Sequence, residues 1–171
     1  GQFTAACGVE IYRGDALPRE FHGNVLTCDP TGHLVHREFV KPHGVTFTSK
    51  PAREGIEFLA SRDEWFCPVN LEVGPDGALY VVDMYRAVIE HPEWMPDELR
   101  QRSDLLYGND RGRIYRIVPK KDDRGSAPKL SSASSVSLVE SLAHPNAWWR
   151  ETSARLLLER QDKNVDKHLR H

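Results

Sequence analysis

Short runs of β-branched and aromatic residues, cut by Gly, Pro, Asp and Asn roughly every ten residues, fill the first 118 positions of the chain. Segments that short leave no room for the long helices of an all-α or α/β fold, and their spacing is that of antiparallel strands joined by tight turns. Val9-Glu10-Ile11-Tyr12 gives way to Gly14-Asp15, the run Gly23 to Cys28 to Asp29-Pro30-Thr31-Gly32, and the run His33 to Val40 to Pro42-His43-Gly44. Gly44 to Thr48 and Gly55 to Ala60 continue the pattern. The plainest hairpin climbs through Pro68-Val69-Asn70-Leu71-Glu72-Val73, turns at Gly74-Pro75-Asp76-Gly77 and returns along Ala78-Leu79-Tyr80-Val81-Val82-Asp83. Its turn carries Pro, which presets φ, and Gly, which accepts a positive φ.

From Met84 to Asp110 the strand pattern lapses into a stretch with Pro92, Pro96 and a charged helical run, Pro96-Asp97-Glu98-Leu99-Arg100. Alternation resumes at Arg113-Ile114-Tyr115-Arg116-Ile117-Val118, so the stretch reads as an insertion between two strands, and insertions of this length are usually functional loops. Residues 119–135, rich in Lys, Asp, Ser and Pro, predict a linker. The period then changes. Val136, Leu138, Val139, Leu142 and Ala143 fit one helix face, His144-Pro145-Asn146 breaks it, and Trp148 to Glu159 predict a second helix with Leu157 and Leu158 thickening its apolar side. Two short amphipathic helices around a Pro-Asn turn make one unit of a helical solenoid, residues 136–171, which cannot bury both faces alone.

Composition removes several classes of function. The chain has 171 residues, and 23 Lys and Arg against 25 Asp and Glu leave a net charge of −2, without the basic face that phosphate binding requires; nucleic acid is excluded as an expected partner. No apolar run is long enough to span a bilayer. The chain starts at Gly1 without a signal peptide, which predicts a processed product or an excised fragment. No P-loop, G-x-G-x-x-G or G-x-S-x-G occurs. Cys7, Cys28 and Cys67 lack C-x-x-C spacing, so this chain has no thiolate zinc site and no covalent haem attachment. Cys7 and Cys28 lie in neighbouring strand-like runs, and two readings stand: a disulfide, which would place the protein outside a reducing cytosol, or two buried free thiols.

The hairpin locates the candidate site. With Gly74 to Gly77 at one end, its start (Trp65, Phe66, Cys67, Pro68) and its exit (Asp83, Tyr85, Arg86) must meet at the other, which also receives the insertion. Asp83, Tyr85, Arg86, Glu90 and His91 are therefore the candidate residues, with Trp65 beside them. Asp83 would accept from a hydroxyl or ligate calcium, Arg86 would hold an anionic group, and His91 would move a proton near neutral pH. Each also has a structural reading. Asp83 caps the following loop, Arg86 pairs with Glu90 or another loop acid, Tyr85 packs and His91 is a turn residue, while Arg111 and Arg113, flanking Gly112 at the start of a strand, either reach the site or form loop ion pairs. Trp65 and Phe66 read as core or wall aromatics, or as faces on which a ligand ring stacks. His33 and His36 are expected on the surface of a strand, and Glu20, Glu38, Glu54 and Glu57 as solvated charges. On the second helix, Trp148, Trp149 and Leu156 to Leu158 are expected to pack, and Arg150, Arg155 and Arg160 to pair with Glu151 and Glu159.

Four antiparallel strands per unit suit a β-propeller blade. Strands near 9–12, 24–28, 34–40 and 55–60 make one blade, and 69–73, 78–83 and 113–118 make three strands of another, so the expected fold is mainly β: a partial β-propeller of about two blades over residues 1–118, followed by a HEAT-like helical hairpin. The segments Cys7 to Pro18, Asn70 to Arg86 and Asn109 to Ile117 resemble the end of the propeller in the PVC-type (planctomycete) membrane-bound dehydrogenases, which are similar to soluble glucose and sorbosone dehydrogenases. His144 to Arg150 with Arg155 to Arg160 resembles the first HEAT helix pair that follows the propeller in that family.

The resemblance implies sugar or alcohol oxidation with pyrroloquinoline quinone (PQQ) and calcium as cofactors, and electrons passed to a c-type haem domain outside this chain. It implies a periplasmic or otherwise extracytoplasmic location, and a fragment inactive by itself. The sequence departs from the quinoprotein pattern at Cys67, where relatives often carry an Arg for an acidic cofactor. Two alternatives come from other classes: a non-catalytic propeller and solenoid that binds a glycan or a protein, and a calcium-dependent hydrolase of the lactonase type.

Overall fold

The structure is a computed structural model describing residues 3–121 and 128–169. Residues 122–127 of the expected linker, and 170–171 of the expected helical repeat, lie outside the described residues. The chain is mainly β, with two antiparallel sheets followed by short helices, and it divides into two compact units, each drawn from three stretches of sequence. No helix among the described residues is long and apolar enough to cross a membrane.

The first unit comprises Gly1–Ile11, Gly23–Glu72 and Tyr80–Arg116. Its larger sheet holds β1 (Cys7–Ile11), β2 (Val25–Asp29), β3 (Leu34–His43), β4 (Thr46–Pro51) and β5 (Leu59–Ala60), ordered β1-β2-β3-β4 with β5 also against β3. The sequence predicts one strand at 55–60 beside β3, whereas two segments share that edge. β4 pairs with Glu38 to His43 of β3, and the two-residue β5 pairs with Leu34 and Val35. Every residue of β4 is exposed, and Val45 at the hairpin tip is fully in solvent, so alternation without a buried face formed a projecting ribbon. Leu26, Cys28 and Val35 on the central strands have no exposure.

The smaller sheet is ordered β6-β7-β8, from β6 (Pro68–Val73), β7 (Leu79–Asp83) and β8 (Arg113–Ile117). Leu71 and Val81 bury one face of β6 and β7, while Arg113 to Arg116 of β8 are exposed. Between β7 and β8 the insertion contains a 3-10 turn at Pro92–Trp94 and α1 (Asp97–Arg100), on the charged run that predicted a helix.

The second unit comprises Tyr12–His22, Val73–Leu79 and Ile117–His171. It contains α2 (Ser135–Ser141), α3 (Ala147–Arg160) and α4 (Asp166–Leu169). The helical pair shares this unit with the β6–β7 turn and the segment after β1. Part of the expected linker packs as well: Leu130 is buried, and Arg160 donates to the carbonyls of Ser131 and Ala133. Arg150 likewise donates to the carbonyls of His144 and Pro145, so of the three expected ion pairs along α3 only Arg155–Glu159 forms. Glu151 pairs instead with Arg13. Leu158 is 70% exposed rather than packed.

Asn146 organises this unit. It is fully buried and caps α3, its Oδ1 accepting from Trp148 N at 3.0 Å, while its Nδ2 donates to Gly74 O at 3.0 Å and Pro75 O at 3.3 Å. Trp149 Nε1 donates to the same Pro75 O at 2.7 Å, and the Tyr12 hydroxyl donates to Gly77 O at 2.6 Å while accepting from Ala16 N and Leu17 N. A turn that would otherwise show bare carbonyls to a buried surface is thereby satisfied. Asn146→Ala removes the cap and two carbonyl partners, and is expected to lower unfolding free energy by about 2–4 kcal/mol in urea titrations. Asn146→Asp keeps the cap but sets a carboxylate against two carbonyl oxygens, and is expected to be at least as damaging.

Candidate functional site

The site lies in the first unit, at the end of the β6–β7 hairpin opposite its turn. Asp83, the last residue of β7, is buried, and its Oδ1 accepts from Cys67 N and Tyr85 N, both at 2.9 Å. Met84 N donates back to Cys67 O at 3.0 Å. The start and exit of the hairpin therefore meet, and the carboxylate does what a loop cap does. Its other oxygen, Oδ2, is buried without a hydrogen-bond partner, and Arg113 Nε lies 3.9 Å away.

Tyr85 takes a left-handed backbone, with φ at 50°, a conformation that costs on the order of 1 kcal/mol or more in a non-glycine residue. The bond from its N–H to Asp83 holds it there. Its hydroxyl donates to Asp63 Oδ2 at 2.9 Å, and that bond first, then the surrounding burial, raises the phenol pKa. Over its ring lies the Arg113 guanidinium, 3.6 Å from the centroid. Burial opposes the charge on Arg113, but Tyr115, Tyr85 and Asp83 outweigh it and move its pKa up, so the cation is permanent.

Arg86 does not pair with Glu90. Its Nη2 donates to Leu105 O at 3.1 Å, and its Nε is buried with no hydrogen-bond partner. The insertion is drawn onto the site by this bond, by Ala87 N donating to Tyr107 O, and by Gly108, where a Cβ would lie 2.1 Å from Tyr85 O. Cys67 is buried, and its Sγ donates to Arg86 O at 3.6 Å. Burial is the main cause that pushes this thiol's pKa up, so Cys67 positions the Arg86 backbone as a neutral thiol.

Two clefts flank this arrangement. One, of about 370 Å³, is lined by Asp83, Met84, Arg86, Asn109, Arg113 and Ile114 among others. The other, of about 360 Å³, is lined by Trp65, Leu106, Tyr107, Asn109, Asp110 and Arg111 together with Gly108. Trp65 stands edge-on to Tyr85 and Tyr107, with centroids 5.7 and 6.1 Å apart. Asn109 lines both clefts.

Of the sequence candidates, Asp83, Tyr85, Arg86 and Trp65 come together here. Glu90 and His91 do not. Glu90 Oε1 accepts from His91 N, His91 Nδ1 accepts from Glu93 N, and both side chains are exposed turn groups outside the two clefts. Asn109, shortly before β8, is the contributor that the sequence reading missed, while Arg113, the first residue of β8, lines the cleft with Asp83. Arg111 makes a loop ion pair with Asp110. Elsewhere, His33 and His36 are not surface residues of a strand. His33 sits in the turn before β3 with Nδ1 on Phe66 O, and the mostly buried His36 bonds Glu57 through Nδ1, so Glu57 is a partnered charge.

Among the described residues no three His, Cys, Asp or Glu side chains assemble as metal ligands. The free oxygen of Asp83 already faces a guanidinium, which repels a divalent cation, so the residues present do not fit calcium at Asp83. For an acidic quinone the cleft offers Arg86 and Arg113.

A sequence profile described as a domain of unknown function, DUF7133, matches residues 1–121. No curated protein and no solved structure matches the chain.

The two roles of Asp83 separate by mutation. Asp83→Ala strands the buried Cys67 N–H and the part-buried Tyr85 N–H, and is expected to cost about 2–4 kcal/mol in denaturant titrations. Asp83→Asn keeps the Oδ1 acceptor and is expected to lose less than half as much.

Proposed function

The chain belongs to the DUF7133 domain family, and from that footing we propose that it is the closing part of a sugar- or alcohol-oxidising propeller protein, its β6–β7 end supplying a wall that binds polyols. The observation that carries this is a buried acceptor, Asp83 Oδ2, and a buried donor, Arg86 Nε, both without hydrogen-bond partners, on two residues that line one open cleft. A carbohydrate hydroxyl donates and accepts at once, and so matches that pair. Trp65 and Tyr107 in the adjoining cleft add the aromatic faces that sugar rings pack against.

On this reading the first unit is a partial propeller and α2 with α3 a HEAT-like pair. Ile114 and Tyr115 on β8 and Leu158 on α3 are exposed apolar residues, as expected of faces that further blades and repeats cover in a longer protein. A bound quinone would supply an acceptor for the two electrons of alcohol oxidation, with a c-type haem domain as their destination. This chain's residues bind and orient: Asp83 takes a hydroxyl proton in a hydrogen bond, and Arg86 and Arg113 hold oxygens or an acidic cofactor. The protein would act outside the cytoplasm. A second reading, a non-catalytic glycan-binding propeller, draws support from Cys67, which leaves the cleft without the quinoprotein arginine. The lactonase reading lacks a calcium ligand set among the described residues.

Calorimetric titration with monosaccharides and linear polyols is expected to show millimolar binding, weakened roughly tenfold by Arg113→Ala or Trp65→Ala. Absence of binding to the folded chain rejects the polyol wall. Sugar-dependent dye reduction by the natural protein loaded with quinone supports the dehydrogenase; sugar binding without dye reduction supports the second reading.

A further inference from the structure

The cysteines of β1 and β2 are direct cross-strand partners. Cys7 faces Cys28 in the antiparallel register, and both thiols are free. This opposition depends on a bulge. The pairs Glu10–Leu26 and Ile11–Val25, continued without interruption, would set Gly8 against Cys28, but the register shifts between Cys7 and Glu10 and brings Cys7 there instead. Gly8 makes the shift possible, with φ at 55° and no room for a Cβ, which would lie 2.6 Å from Val69 O. Directly opposed residues of an antiparallel pair project from the same face of the sheet, and their Cα separation of about 4.5–5.5 Å lies within the range that a disulfide spans.

We propose that Cys7 and Cys28 are a built disulfide site, closed when the chain meets a small-molecule disulfide oxidant. Cys7 is half-buried and Cys28 fully buried, which sets the order of events. The Cys7 thiolate attacks one sulfur of the oxidant and expels a thiolate, giving a mixed disulfide. Cys28, after losing its proton, attacks Cys7 Sγ and expels the second thiolate. Two protein thiols are oxidised, the oxidant is reduced to two thiols, and these take up the protons. Burial is the first cause raising both thiol pKa values. For Cys7 the charge of Asp29 adds to it, and Cys28 is pushed up to about 12 with Cys7 as the second cause, so the two groups sense each other. Below these values the reactive thiolate fraction grows about tenfold per pH unit, so closure is slow at neutral pH and faster in alkali.

The test is incubation of the full chain with oxidised glutathione at pH about 8.5, followed by non-reducing peptide mapping. The expected product is a Cys7–Cys28 linked peptide with Cys67 still a thiol. Cys28→Ser is expected to stop at glutathione on Cys7, whereas Cys7→Ser leaves Cys28 unmodified. Closure ties off a loop of about twenty residues and is expected to raise the melting temperature on the order of 5–10 °C, reversed by dithiothreitol. Glutathione persisting on Cys7 of the unmutated chain without a cross-link, linkage through Cys67, or three thiols that stay free while the urea-unfolded chain reacts would each overturn the proposal.

Discussion

One buried carboxylate holds the candidate site in shape. Asp83 accepts two backbone N–H groups through a single oxygen, joining the start of β6 to the residue after β7 and fixing Tyr85 in a left-handed conformation it would not otherwise keep. Tyr85 in turn supports the Arg113 guanidinium and gives the Gly108 loop its contact surface. A charge removed from water needs this kind of compensation, here two amide dipoles on one oxygen and a cation near the other. The oxygen left without a hydrogen bond is thus part of a fixed frame, and a ligand reaching it would find its partners already oriented.

The local layer of this architecture was legible in the sequence, and the long-range layer much less so. Pro75 and Gly77 announced the β6–β7 turn, and that turn alone dictated that Trp65, Cys67, Asp83, Tyr85 and Arg86 would share the opposite end. Alternation marked β1 to β3 and β6 to β8 for the same reason, since period two follows from strand geometry itself. Gly44 to Thr48 carried the strand pattern into β4, but its extent to Pro51 and its pairing with β3 did not follow, because a strand with no buried face has no one-sided apolar pattern to place it. Asn146 was read as a helix breaker. Its bonds to Gly74 and Pro75 span some seventy positions, and no local rule encodes such a partner. His91 was attractive by residue type, yet type does not report direction, and its ring serves only its own turn.

The arginines carry a related lesson. Arg86, Arg150 and Arg160 were each expected to find a carboxylate, and each bonds main-chain carbonyls instead. A guanidinium offers five donors in a fixed fork, and loop carbonyls left unpaired by irregular backbone compete well with solvated acids for them. Charge pairing read from helical spacing held only for Arg155 and Glu159, which are both exposed and sit one turn apart.

The interleaving of the two units sets the order in which this molecule can be made. Tyr12–His22 and Val73–Leu79 leave the ribosome long before Ile117–His171, the stretch that completes their unit. Until the last third of the chain is synthesised, the Gly74 and Pro75 carbonyls lack their Asn146 and Trp149 donors and must stay hydrated. The second unit can therefore not mature until late in synthesis, whereas every stretch of the first is present by Arg116, and the late unit depends on sequence-distant contacts of the kind that slow folding.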